Sequence, residues 1–112
     1  METTRQKKVS RLLQRELAEI FRIMSGELLP GKMITVTVVR VSADFSIARV
    51  YLSIFPSDDM ESELSLLRDN VGRVRYGLGT RVSSQLKKIP ELSLFADDSL
   101  DYIDNIDNLL HD

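Results

Sequence analysis

The sequence predicts an α+β fold, a two-layer sandwich with helices packed on one face of a small sheet. Two observations predict it. Residues 33–41 and 48–55 are runs of β-branched and alternating apolar residues, the pattern of half-buried strands. Around them, residues 5–24, 60–67 and 74–89 place apolar side chains at three-and-four spacing, the pattern of helices that bury one stripe. Layered elements of these two kinds close a core by covering the sheet with the helices.

In the first helix, Val9, Leu12, Leu13, Leu17, Ile20, Phe21 and Met24 form the stripe, Thr3 or Thr4 caps the start and Gly26 is expected to end it. Leu29-Pro30-Gly31 punctuates the chain. Met33–Val41 follows as a strand, Ser42–Ser46 as a tight connection, and Ala48–Phe55 as a second strand, which together make an antiparallel hairpin. Ala48, Val50, Leu52 and Ile54 alternate onto the face that meets the helices. Pro56-Ser57-Asp58-Asp59 ends the strand and supplies a helix N-cap, and Met60, Leu64 and Leu67 carry the second helix.

Arg68-Asp69-Asn70-Val71-Gly72-Arg73-Val74-Arg75 then joins two helical patterns through Asn70, Val71 and Gly72, the expected helix kink. Val74, Leu78, Val82, Leu86 and Ile89 extend a third helix as far as Pro90, which stops it. Glu91–Ala96 reads as a third strand, and Leu100, Ile103, Ile106, Leu109 and Leu110 as a short amphipathic helix begun by Ser99. The order, α-β-β-α-kink-α-β plus a short C-terminal helix, is that of a type-II KH-like domain, and residues 1–112 are expected to form one such domain.

Several chemistries are excluded. There is no cysteine, hence no disulfide, thiolate metal site or cysteine nucleophile. A single histidine, His111, rules out histidine-based metal clusters and Ser-His-Asp catalysis. No phosphate-binding glycine motif occurs. Asp97-Asp98-Ser99-Leu100-Asp101 lacks the glycine and terminal glutamate of a calcium loop, so helix capping and a solvated acidic face are expected there. An enzyme, a cofactor and a metal are therefore not expected. With no apolar signal core and no run of membrane-spanning length, a cytoplasmic protein without a membrane partner is.

Charge is segregated behind a net value of -2. Residues 5–22 hold six basic side chains against Glu16 and Glu19, residues 68–88 hold six against Asp69, and from Ala96 onward there are six aspartates and no Lys or Arg. A bipolar molecule of this kind binds a polyanion on one face and repels it from the other. On the third helix, Arg73, Gly77, Thr80, Arg81, Ser84 and Lys88 share a flank where small and hydroxyl positions lie among cations, which admits a phosphate backbone. Gly77 and Gly79 are expected to allow close packing against the sheet beneath the helix, and Arg75 to lie along the core rim with its head at solvent. Only Tyr76 among the aromatics falls within a basic cluster, so backbone and shape recognition of folded nucleic acid is favoured over base stacking. The candidate RNA-binding residues are Lys7, Lys8, Arg11, Arg15, Arg73, Arg75, Arg81 and Lys88.

Taken together, Val9–Leu17, Ile34–Thr37, Val50–Ser53, Val74-Arg75 with Leu78-Gly79, Pro90-Glu91-Leu92 and Asp97–Leu100 make the chain resemble the bacterial ribosome-binding factor A family almost end to end. The resemblance implies a KH-like fold in which a helix-kink-helix replaces the usual G-x-x-G loop. It implies a non-enzymatic factor that binds the free small (30S) ribosomal subunit late in assembly. Such a factor assists maturation of 16S rRNA, including its 5′ end, and supports growth in the cold; a monomer is expected. The chain departs from the family in having Asn70-Val71-Gly72 where Ala-x-Gly is typical. It also has Leu29-Pro30-Gly31-Lys32 where many members carry Asp-Pro-Arg, with Lys32 as the candidate substitute for that arginine. The extended charged tail of some members is not expected, and the stretch from Gly72 to Pro90 is slightly long. A KH-like reader of single-stranded RNA and a protein-interaction module are the alternatives.

Overall fold

A computed structural model describes residues 2–97. Their order is α1 (Thr4–Leu28), β1 (Met33–Val41), β2 (Ile47–Phe55), α2 (Met60–Asp69), α3 (Val71–Val82) and β3 (Glu91–Ala96), the αββααβ succession of a type-II KH-like domain. The sheet runs β1-β2-β3, with β1 antiparallel and β3 parallel to β2. Helices cover one face, burying Leu13, Leu17 and Phe21 of α1, Leu67 of α2 and Val74, Leu78 and Val82 of α3 against Ala48, Val50 and Leu52 of β2. The other face leaves Met33, Phe55, Ile47 and Phe95 exposed, with the Tyr51 and Phe95 rings stacked at 5.5 Å. The expected short helix from Ser99 lies outside the described residues.

Thr3 caps α1 in a reciprocal box: its hydroxyl accepts from the Gln6 amide at 3.1 Å while the Gln6 side chain accepts from Thr3 N–H at 2.8 Å. Gly26 does not end the helix: its backbone does not take the left-handed cap conformation, and α1 runs on to Leu28. Termination falls instead to Leu29–Lys32, where Lys32 N–H reaches Leu29 O at 3.1 Å across Pro30 and Gly31 (φ +82°), the residue pattern of a type II turn.

A bulge at Thr37 breaks the β1–β2 register between Val36 and Val38. It shifts the inward positions from Ile34 and Val36 to Val39 and Val41, so that Arg40 points outward. Gln14 of α1 donates to the Val36 and Thr37 carbonyls at 3.2 and 3.3 Å, and the Thr37 hydroxyl bonds Tyr51 O and the Asp97 carboxylate. At the hairpin tip, Asp44 accepts from Ser46 and Ser42 hydroxyls and from Ser46 N–H. These bonds, the Ser46 hydroxyl foremost, pull its carboxyl from 3.8 to about 2. Arg5 stacks over Phe45 at 5.0 Å and ties the start of α1 to that tip.

The third helix is shorter than its apolar spacing predicts: it ends at Val82, not Ile89. Gln85 and Leu86 N–H groups both turn back onto Val82 O at 2.9 Å, and residues 83–90 then double back along α3. Topology demands the reversal, since Glu91 must pair at the start of β2, where its N–H meets Ser46 O at 2.9 Å. A helix continued to Ile89 would advance about 10 Å in the wrong direction. Leu86 and Ile89 still pack on the core, but from a loop, which is why their spacing mimics a helix.

Candidate nucleic-acid interface

The kink is narrower than the three residues that announce it. Asn70 alone separates α2 from α3, at φ −107° and ψ 12°, in the sparsely populated bridge region. Its backbone N–H bonds Leu67 O at 3.1 Å, and its side-chain amide donates to Leu66 O at 2.9 Å, capping the carbonyl that the break leaves over. Asparagine therefore supplies a bond that alanine lacks. Val71 and Gly72 already belong to α3, and space beside Gly72 is open.

The arginines around this joint have separate employments. Arg68 donates twice to Leu94 O (3.0 and 2.6 Å), fastening α2 to β3. Arg75 donates to Pro90 O at 3.0 Å and Ile89 O at 2.7 Å, fastening α3 to the returning segment. Arg75 is exposed, as expected of a rim residue, and its fork bonds these carbonyls from the solvent side. Arg73 takes a different role: it donates to the Glu27 carboxylate at 2.7 Å and contacts Asn70 Oδ1 at 3.3 Å. That bond holds the Glu27 carboxyl below its ordinary range and raises Arg73.

Helices α1 and α3 lie side by side in opposite directions, with Glu27 beside Arg73 and Glu16 beside Arg81 at 3.3 Å. Arg15 joins the second pair through Glu16 at 3.7 Å. Between these pairs the helices approach at Gly77, where an added Cβ would meet Ile20 at 3.6 Å; at Gly79 it would meet Ile89 at 3.6 Å. Both are ordinary packing distances, but the neighbours are α1 and the returning segment rather than the sheet, because these two positions lie on the sides of α3 and Val74, Leu78 and Val82 take the buried stripe.

The basic residues thus form an oblique ridge that crosses the solvent side of α1, from Arg73 and Arg81 on its α3 flank over Arg15 and Lys8 to Arg11 and Lys7 on its β1 flank, about 30 Å along the axis. Lys7, Lys8 and Arg11 are exposed and have no carboxylate partner among the described residues, whereas Arg73, Arg81 and Arg15 each have one. Lys88 is also exposed but sits in the returning segment, and neither it nor Ser84 lies on an α3 flank. Lys32 is no substitute for a solvent-facing arginine: it is largely buried and bonds Glu63 at 2.9 Å, Asp58 at 3.3 Å and Pro56 O at 2.8 Å. The Glu63 carboxylate chiefly raises its pKa.

Among the described residues, no group of three metal-ligating side chains converges, and no helix is long and apolar enough to cross a membrane. The family model described as ribosome-binding factor A matches residues 5–110. The chain is 40% identical to ribosome-binding factor A of Flavobacterium psychrophilum over 98% of its length and 85% of the relative's. It is 43% identical to that of Christiangramia forsetii over 95% and 82%. The crystal structure of ribosome-binding factor A from Thermus thermophilus superposes with a TM-score of 0.68 at 27% identity, covering 81% of this chain and 94% of that one. A homology model of the Thermus thermophilus protein, fitted into a cryo-EM map of a complex with the 30S subunit, superposes with a TM-score of 0.66 at 28% identity, covering 80% and 91%.

Proposed function

The chain belongs to the ribosome-binding factor A family, a family of ribosome-binding factors and not of enzymes, and from that premise we propose that it binds the free 30S subunit through the backbone of 16S rRNA. The binding assists late maturation of that rRNA, including its 5′ end, in the cytoplasm and as a monomer. The α1–α3 ridge carries this reading. Lys7, Lys8 and Arg11 offer cations that need no local partner to be displaced, and Arg15, Arg81 and Arg73 offer cations that exchange a carboxylate for a phosphate. Lys88 contributes from the side, and Arg75 acts as a fastener of the fold. A thirty-ångström ridge of this kind matches a folded RNA surface better than a short single strand, which a G-x-x-G loop would grip.

The relative seen in complex with a 30S subunit makes that subunit the natural ligand. The deciding experiment is depletion in cells: 16S precursor with an unprocessed 5′ end and free small subunits are expected to accumulate. Normal rRNA maturation after depletion refutes the assembly role, and failure of the purified chain to co-sediment with small subunits refutes the binding role.

A further inference from the structure

The hairpin builds a second cationic site that sequence runs do not reveal. Arg40 of β1 and Arg49 of β2 are each the single charge on their strand, and the register sets them directly opposite one another. Both are exposed, and both line a cleft of about 270 Å³ with Ser42 and Ile47. Like charges facing across an antiparallel pair repel and destabilise it. The nearby acids compensate only in part. Glu2 reaches Arg40 at 3.6 Å, Asp44 is engaged by Ser42 and Ser46, and Glu91, opposite Ile47 in β3, makes no ion pair with either arginine. Arg49 has no carboxylate partner among the described residues.

We propose that the Arg40–Arg49 pair holds a phosphodiester of RNA between two guanidinium forks, extending the α1 ridge around edge strand β1 onto the open face of the sheet. This rests on the 30S-binding reading and adds a site to it. A phosphate fits because planar guanidiniums pair its oxygens bidentately, and because an anion lodged between the two arginines relieves their mutual repulsion. Glu2 ties Arg40 to the start of α1, so the new site is continuous with Lys7 and Arg11, which flank Glu2 in the adjoining cleft.

The test pairs stability with binding in the full chain. Arg49→Gln is expected to raise Tm by about 1–4 °C, because a like-charge pair is removed. In the same variant, affinity for purified small subunits is expected to fall about 5–8-fold at 0.1 M salt, with the salt slope shallower by about 0.7–0.9, the loss of one phosphate contact. Raised Tm with unchanged affinity and slope overturns the proposal. So does a fall in Tm matched by removal of residues 98–112, which would assign the pair to the chain's own aspartates. Should the wild-type chain not bind subunits at all, the function proposed above falls instead. A short RNA duplex as probe then decides on the arginine pair by the same comparison of wild type with Arg49→Gln.

Discussion

Replacing Lys7, Lys8 and Arg11 together by alanine isolates the part of the ridge that is not already neutralised. These three cations have no carboxylate partner among the described residues, so each one is expected to release about one condensed counterion's worth of salt dependence when it meets a phosphate. The coefficient is about 0.7–0.9 per contact, so a fourfold rise in salt from 50 to 200 mM weakens each contact about threefold. Three contacts then account for about 20–40-fold of the wild-type loss over that range. The triple variant should therefore bind 30S subunits more weakly at 50 mM and lose about 20–40-fold less affinity on going to 200 mM. Co-sedimentation or filter binding at four or five salt concentrations gives both slopes. All three side chains are exposed, so circular dichroism and Tm should stay near wild type and separate lost binding from lost folding. A variant slope equal to wild type would refute the assignment of phosphates to the start of α1.

Neutralising the partners gives the opposite sign: Glu16→Gln with Glu27→Gln frees Arg81 and Arg73, and subunit binding should tighten with a slope steeper by about 0.7–0.9 per arginine that finds a phosphate. No gain in the same co-sedimentation series would show that these arginines do not reach RNA. Asn70→Ala removes the amide bond to Leu66 O, and urea unfolding should register a loss of about 0.5–1.5 kcal/mol. Gly26→Ala should stabilise by about 0.5–1 kcal/mol in the same assay, because the position is helical and open. Acid unfolding tests Asp44: a carboxyl lowered from 3.8 to about 2 stabilises the fold above 3.8 and loses that contribution as pH falls through about 2. Asp44→Asn should flatten this part of the stability curve, with little change in its shape near neutral pH.

Much of the fold is legible because it follows from short-range alternation. Both edges of Met33–Val41 and Glu91–Ala96 coincide with their patterns, and the inward face of β2 is the one that Ala48, Val50, Leu52 and Ile54 define. The end of α3 is not legible in this way. Leu86 and Ile89 are apolar because they pack on the core, and packing alone does not say whether a helix or a returning loop delivers them. The parallel pairing of β3 with β2 requires the loop, and that requirement is non-local. The bulge at Thr37 is equally silent in composition, since Val38 and Val39 are alike and only the partner strand decides which of them turns inward.

Charge is where sequence and structure part furthest. A run such as Arg68 to Arg75 marks density of cations but not their disposition, and here two of the three arginines hold main-chain carbonyls that join helices to β3 and its approach. A guanidinium supplies several donors in one plane, so the residue suited to phosphate is equally suited to a strand end that must be fastened from outside the sheet. The third, Arg73, is latched to a glutamate more than forty residues away, visible only once α1 and α3 lie antiparallel. Lys7, Lys8 and Arg11 on the first turns of α1, Arg49 on the hairpin, and Lys87 and Lys88 in the returning segment are left without a carboxylate partner among the described residues. Potential at the surface is set by that remainder of uncompensated charge, not by the count of arginines. On the function proposed above, RNA should consequently meet this molecule first along α1 and the β1 edge, while Arg73 and Arg81 stay engaged by Glu27 and Glu16 until a phosphate displaces those carboxylates.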